Sequence, residues 1–321
     1  MAILVTGGAG FIGSNLVDRL VARGEDVACW DDFNDYYDPR IKRMNVAPLL
    51  ENKSIRLYEG DICDADLGEE VFRREKIETV YHLAARVGVR HSLVAPLLYE
   101  RVNCHGTLVL LELARRHDVR KFVFGSTSSA YGASKRLPFR EDDPADAQIS
   151  PYAATKRAAE LLCRSYHEIY GLPVICPRFF TVYGPRGRPD MAVYTFTAAM
   201  EKGDEVHVYG DGTLRRDFTY VDDIVSGLLG ALSADFGFEI VNLGESKTVE
   251  VRRLIELIAQ ATGKQPKLKF MPPAPGDVPA TYADITKARR LLGYDPSFPL
   301  ERGIPLFVEW YRRTAGGLRQ S

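Results

Sequence analysis

A tyrosine and a lysine stand four positions apart in Tyr152-Ala153-Ala154-Thr155-Lys156. On a helix this spacing puts both side chains on one face. A phenol with a pKa of about 10 is a poor base at neutral pH. A neighbouring ammonium favours the phenolate, and such a pair can move a proton as an alcohol and a ketone interconvert. The same spacing also occurs as a plain surface pair, so its meaning depends on the rest of the chain. Upstream, Ser126-Thr127-Ser128-Ser129-Ala130-Tyr131-Gly132 sets a row of hydroxyls directly after an apolar run. They either bind a reacting oxygen or satisfy their own turn.

A second constellation lies at the start of the chain. Gly7-Gly8-Ala9-Gly10-Phe11-Ile12-Gly13 spaces its glycines G-x-x-G-x-x-G between an apolar run and a helical pattern. Gly7 and Gly10 permit a tight turn and a close approach of backbone to a pyrophosphate. Gly13 lets the helix lie near the strand. Phe11 and Ile12 open that helix, whose free N–H groups and positive dipole end suit phosphate. Asp31, with Asp32 beside it, closes the next apolar run at the distance where a carboxylate accepts ribose hydroxyls. A carboxylate there repels a 2′-phosphate, which predicts NAD and not NADP. Asp61 and Ile62 are expected to flank the adenine, and Leu83, Ala84 and Ala85 to line the cofactor channel.

Elements that would carry these residues are readable from periodicity. Residues 3–6, 26–30, 54–59, 79–83 and 121–125 read as strands. Helical spacing fills residues 10–23 and 98–117. Alternation of this kind with nearly continuous apolar strands predicts an α/β fold: a Rossmann-type doubly wound parallel sheet with both faces covered. After Pro177 the pattern loosens, with Pro and Gly clustered at 184–189 and 272–279. Residues 205–209 are mixed in character and 249–262 helical. Residues 221–232 read as a helix, and 239–243 as a strand able to rejoin the sheet. The expected division is an NAD-binding domain over 1–177, with 221–244 returning to it, and a smaller, discontinuous, mixed α/β substrate domain over 178–321. The site belongs between them, beyond the carboxyl ends of the strands.

The 321 residues carry 42 Lys+Arg and 43 Asp+Glu, a net charge of −1, which offers no electrostatic case for nucleic acid or an anionic membrane. No apolar run approaches the ~18 residues of a membrane span. Residues 1–7 run from apolar directly into glycine and read as a strand, not a signal peptide. The five cysteines are scattered, without C-x-x-C, which argues against a disulfide framework or a structural zinc. No metal is expected, and the protein reads as soluble and cytoplasmic.

Together these segments resemble the extended short-chain dehydrogenase/reductase family, and within it the nucleotide-sugar epimerases. The likeness covers nearly the whole chain: GGAGFIG, Asp31, HLAA at 82–85, the hydroxyl turn, YAATK, RFFTVYGPRGRPDM at 178–191 and RDFTYVDD at 216–223. FFTVYGPRGRPDM and DDFNDYYDPR at 31–40 are most similar to UDP-glucuronate 4-epimerases. The resemblance implies an isomerase with NAD, a triad of Thr127, Tyr152 and Lys156, and a 4-keto sugar intermediate. Ser128 and Ser129 stand where 4,6-dehydratases carry Asp-Glu, and Ser129 where UDP-glucuronate decarboxylases carry Glu. Thr181 and Ala274 replace an Asn and an Arg of UDP-galactose epimerases. A UDP-glucose or UDP-N-acetylglucosamine 4-epimerase is the alternative; a UDP-glucuronate decarboxylase or a non-catalytic NAD-binding protein ranks lower.

A 4-keto uronate is a β-keto acid that loses carbon dioxide when its C5–carboxylate bond aligns with the carbonyl π system. Arg188, with Thr181 and Ser128, is the expected clamp that holds the carboxylate out of that alignment. Arg216 is expected at the UDP pyrophosphate, and Asp277 at the uridine ribose or beside that arginine. Val208, in the stretch 206–209, is expected next to the uracil. The wide apolar faces of the helical stretches at 98–117 and 152–170 (Leu108, Leu111, Leu161, Leu162, Ile169) have two readings. One is the four-helix bundle of a homodimer, as the resemblance implies; the other is intradomain core.

Overall fold

A computed structural model describes residues 2–272 and 278–314. Its strands, in chain order, are β1 (Ala2–Thr6), β2 (Val27–Asp31), β3 (Ile55–Glu59), β4 (Ile77–His82), β5 (Lys121–Phe124), β6 (Ser126–Thr127) and β7 (Val174–Phe179), followed by β8 (Thr181–Tyr183), β9 (Glu205–Tyr209), β10 (Arg215–Arg216), β11 (Phe218–Tyr220), β12 (Phe238–Leu243), β13 (Val249–Glu250) and β14 (Lys267–Met271). The main sheet runs β12-β7-β5-β4-β1-β2-β3, every neighbouring pair parallel, with the short β6 also on β7. The order reverses between β1 and β4, which opens a crevice beyond their carboxyl ends. This is the doubly wound fold expected from the alternation.

Two apolar layers sandwich the sheet. One packs the helix Phe11–Ala22 and the helix Val221–Ser233 against it, around Leu16, Leu20, Ile224 and Leu228. The other packs Leu110, Leu113, Ala159 and Cys163 of the helices Gly106–Arg116 and Pro151–Tyr170. A third core, built on Val206, Val208, Leu254, Ile258, Ile304 and Phe307, stands apart. There β9 and β14 pair in parallel, so the mixed stretch 205–209 is a strand. The two strands of this ladder lie more than fifty residues apart in sequence, beyond the reach of local periodicity.

The stretch expected as a helix at 98–117 is helical through Arg116, with one irregularity. Helix Pro96–Glu100 runs into a single π turn, Arg101–His105, before the α-helix Gly106–Arg116. The wider turn carries Asn103, whose side chain leaves the helix to bind elsewhere. Its Oδ1 accepts from the Arg86 N–H at 2.8 Å, and its Nδ2 donates to the Arg86 carbonyl at 3.0 Å and to Thr155 Oγ1 at 3.1 Å.

Candidate active site

The glycine loop is built as its spacing predicts. Gly7 has φ +68°, and a Cβ there would meet the Ala84 nitrogen at 2.7 Å. A Cβ on Gly13 would sit 2.1 Å from the Gly7 carbonyl oxygen. Only hydrogen fits at either place, so the loop lies flat against the start of the helix Phe11–Ala22. Loop and helix end form the floor of a cavity of about 450 Å³ that continues past the ends of β4, β5 and β7. This cradle suits the pyrophosphate of a dinucleotide.

Asp31 ends β2 on the cavity wall, buried, but it does not face a ligand alone. Its carboxylate accepts the Ala9 and Phe33 N–H groups at 3.2 and 3.0 Å and the Lys42 ammonium at 2.9 Å. Lys42 also reaches Asp32 at 3.5 Å. Two acids against one lysine leave the corner net negative, still unfavourable for a 2′-phosphate. Periodicity gave no sign of Lys42; only the packing of the helix Pro39–Glu51 brings it here. Asp61, nearby, accepts from the Cys63 N–H at 2.9 Å and from Arg101 at 2.6 Å.

The Tyr–Lys pair sits on the first turns of the helix Pro151–Tyr170, which Ser150 caps by accepting the Ala153 N–H at 3.1 Å. Lys156 is 3% exposed, with Nζ 4.2 Å from the centroid of the Phe124 ring. Burial lowers its pKa to about 8. Burial also raises the Tyr152 phenol above its ordinary value, opposed chiefly by a hydrogen bond with Thr127 and then by the Arg188 charge. Thr127 itself caps the hydroxyl turn, accepting the Ser129 N–H at 3.2 Å.

Beneath this pair lies a buried polar layer that sequence reasoning missed. Thr6 Oγ1 and His82 Nδ1 are 2.8 Å apart, and His82 Nε2 and Thr107 Oγ1 3.0 Å. Burial, and then the Lys156 charge, keep His82 well below its usual pKa and so neutral. One turn past Lys156, Glu160 accepts from Ser126 at 2.6 Å and from Arg178 at 2.8 and 2.7 Å. Glu160 follows Lys156 at i+4, but nothing local points to Arg178 on β7.

The cavity thus gathers Gly7, Gly10, Phe11, Ile12, Gly13, Asp31, Asp61, Ile62, Leu83, Ala84 and Ala85 with Thr127, Ser128, Tyr152, Lys156, Thr181 and Arg188. Val208 and Arg216 lie off its wall. The Val208 side chain is buried in the third core, and Arg216 donates to the Arg215 carbonyl at 2.8 Å. Asp277 and Ala274 fall outside the described residues. Arg188 arrives already partnered: its Nε and Nη2 donate to the two oxygens of Asp190 at 2.9 and 2.8 Å. Asp190, two positions on, was the available clue to that pairing.

Residues 3–244 match the model of a family described as "NAD dependent epimerase/dehydratase". A UDP-glucuronate 4-epimerase of Thermodesulfobacterium geofontis is 42% identical over 308 residues, covering 96% of this chain and 95% of the relative. The crystal structure of a UDP-glucuronic acid 4-epimerase from Bacillus cereus, in complex with UDP-glucuronic acid and NAD, is similar at 35% identity. It superposes with a TM-score of 0.92, over 98% of this chain and 99% of that one. A UDP-glucose 4-epimerase of Thermotoga maritima, crystallised with UDP-glucose, is 37% identical with a TM-score of 0.90, over 98% and 100%.

Proposed function

The chain belongs to the NAD dependent epimerase/dehydratase family, and we propose that within it the protein is an NAD-dependent UDP-glucuronate 4-epimerase. It interconverts UDP-glucuronate and UDP-galacturonate through a 4-keto intermediate. The observation that carries the uronate reading is Arg188 on the wall of the same cavity as Thr127, Ser128, Tyr152 and Thr181. A guanidinium there offers a charged partner to a sugar carboxylate, which a neutral hexose lacks.

Bound NAD supplies an acceptor, and then a donor, for the hydride of C4. The chain's residues do the rest. Gly7, Gly10 and Gly13, with Phe11 and Ile12, cradle its pyrophosphate, Asp31 takes the adenosine ribose, and Asp61, Ile62, Leu83, Ala84 and Ala85 line its path. Tyr152 takes the proton of the 4-hydroxyl and later returns it. Thr127 hydrogen-bonds the same oxygen. Lys156 binds the nicotinamide ribose, and its charge favours the phenolate. Arg188, Thr181 and Ser128 hold the uronate carboxylate away from the alignment that releases carbon dioxide. Arg216, Asp277 and the backbone of the stretch that holds Val208 are the residues we propose for the UDP half.

We divide the chain into the NAD-binding unit 1–177 with 221–244, and a substrate-binding remainder. The parallel pairing of β12 with β7 and the separate third core support that division. A homodimer is proposed through Leu108, Leu161 and Ile169, which are solvent-exposed at 36, 50 and 68%, whereas Leu111 belongs to the core. No helix among the described residues is long and apolar enough to cross a membrane; the cytoplasm is the proposed location. Purified protein incubated with UDP-glucuronate, without added cofactor, should yield UDP-galacturonate by NMR. Turnover of UDP-glucose or UDP-N-acetylglucosamine instead would replace this reading with the neutral-sugar one.

A further inference from the structure

Asp190 and Arg188 meet fork to fork, and a third group is fixed to them. Tyr36 donates its hydroxyl to Asp190 Oδ2 at 3.2 Å. Tyr36 belongs to the segment after β2, the strand that ends in Asp31, so the contact joins two loops 154 positions apart in sequence. Gly88 makes room for it: at φ +95°, a Cβ there would lie 2.6 Å from the Tyr36 hydroxyl oxygen and 3.7 Å from Asp190 Oδ2. The Tyr36 ring also stands edge-on to His91, with centroids 5.2 Å apart.

Resting on the uronate reading above, we propose that Asp190 and Tyr36 are positioning residues that aim Arg188 at the sugar carboxylate and thereby decide how often the intermediate loses carbon dioxide. An arginine in a loop rich in Pro and Gly has many rotamers. Asp190 uses two of its edge donors, Nε and Nη2, and so fixes the plane of the guanidinium. Nη1 takes no part in those bonds. A carboxylate that arrives must therefore bind in one orientation, not several. Asp190 also offsets part of the guanidinium charge, which restrains Arg188 from pulling the acid group freely. Although burial pushes the Asp190 carboxyl upward, the Arg188 fork outweighs it and keeps the acid ionised. Tyr36 holds Asp190 in turn.

The reaction at stake is defined. In the 4-keto uronate, the C5–carboxylate bond breaks, its electron pair forms the C4–C5 enolate, and carbon dioxide leaves. A proton then returns to C5 and gives a 4-keto pentose still attached to UDP. No further oxidant is needed, because the C4 oxidation belongs to the epimerisation itself; the two electrons taken from C4 stay with the bound nicotinamide cofactor until the 4-ketone of uronate or pentose is reduced again.

The test compares wild type, Asp190→Asn, Asp190→Glu and Tyr36→Phe on UDP-glucuronate, reading UDP-galacturonate by NMR and carbon dioxide by trapping. Asp190→Asn should raise carbon dioxide released per epimerisation roughly tenfold. Tyr36→Phe should raise it less, and Asp190→Glu should restore part of the ratio. Bound NAD should stay at the wild-type level in all of them. A general loss of folding would lower both products together and leave the ratio alone, so the ratio decides; Tyr36→Phe supplies it if Asp190→Asn does not fold. An unchanged ratio in these variants overturns the proposal. A wild type inert toward UDP-glucuronate overturns the uronate reading as well.

Discussion

Glu160 and Arg178 form a bidentate ion pair with no access to solvent to speak of, one helical turn beyond Lys156, with N–O distances of 2.8 and 2.7 Å. The guanidinium also covers the Tyr131 ring, its Cζ 4.5 Å from the centroid. The pair bolts the helix that carries Tyr152 and Lys156 to β7, and through Ser126 to the strand that ends in Thr127. Removing one member leaves an uncompensated buried charge. Arg178→Met is expected to cost about 3–5 kcal/mol in urea unfolding. Adding Glu160→Leu should recover part of that loss. A double variant as unstable as the sum of the two singles would show that the ions are not coupled.

Tyr152→Phe removes the only atom by which that ring can move a proton. Turnover should fall about 10³-fold, while bound NAD is retained. Thr127→Ala, which leaves the phenol but removes its hydrogen-bonding neighbour, should fall less and move the acidic limb of the pH–rate profile, the rise set by ionisation of Tyr152, to higher pH. A Tyr152→Phe enzyme with wild-type kcat would require a different base.

Lys156 gives a pH-dependent stability signature. Its folded pKa of about 8 lies below the 10.5 of an unburied lysine. Below pH 8 both states hold the proton, and the folded protein bears the full cost of a buried charge. Between about 8 and 10.5 the unfolded state binds more protons, so stability rises with pH. The rise amounts to about 3 kcal/mol. The difference in unfolding free energy between wild type and Lys156→Met, followed from pH 7 to 11, should grow by that amount in favour of wild type. A flat difference would mean that Lys156 is solvated in solution.

Gly13→Ala tests the cofactor floor. The added methyl would need the place of the Gly7 carbonyl, 2.1 Å away. The loop must lift, and the purified protein should then carry several-fold less NAD by absorbance after denaturation. Gly24→Ala is the control: it has a positive φ but nothing within 4 Å of the new methyl. It should cost some stability and leave NAD content unchanged.

Much of this molecule is local and was therefore open to reading from sequence. The period of the strands, the glycine spacing and the i, i+4 step from Tyr152 to Lys156 each follow from the geometry of one element. That geometry is fixed by backbone sterics and by which side chains avoid water. A parallel sheet covered on both faces, with a site beyond the carboxyl ends of its strands, follows from the alternation. What chain order could not supply are pairings across long separations: Lys42 with Asp31, Arg178 with Glu160, Tyr36 with Asp190, Asn103 with Thr155. The helix expected at 98–117 is present, but its π turn was out of reach for the same reason: the Asn103 side chain bonds the Arg86 backbone and Thr155, far from it in sequence. The sequence by itself determined which groups stand at the ends of strands and helices. Only the packed structure decided which charges neutralise one another there, since burial makes a charge seek its counter-ion wherever the fold has brought one.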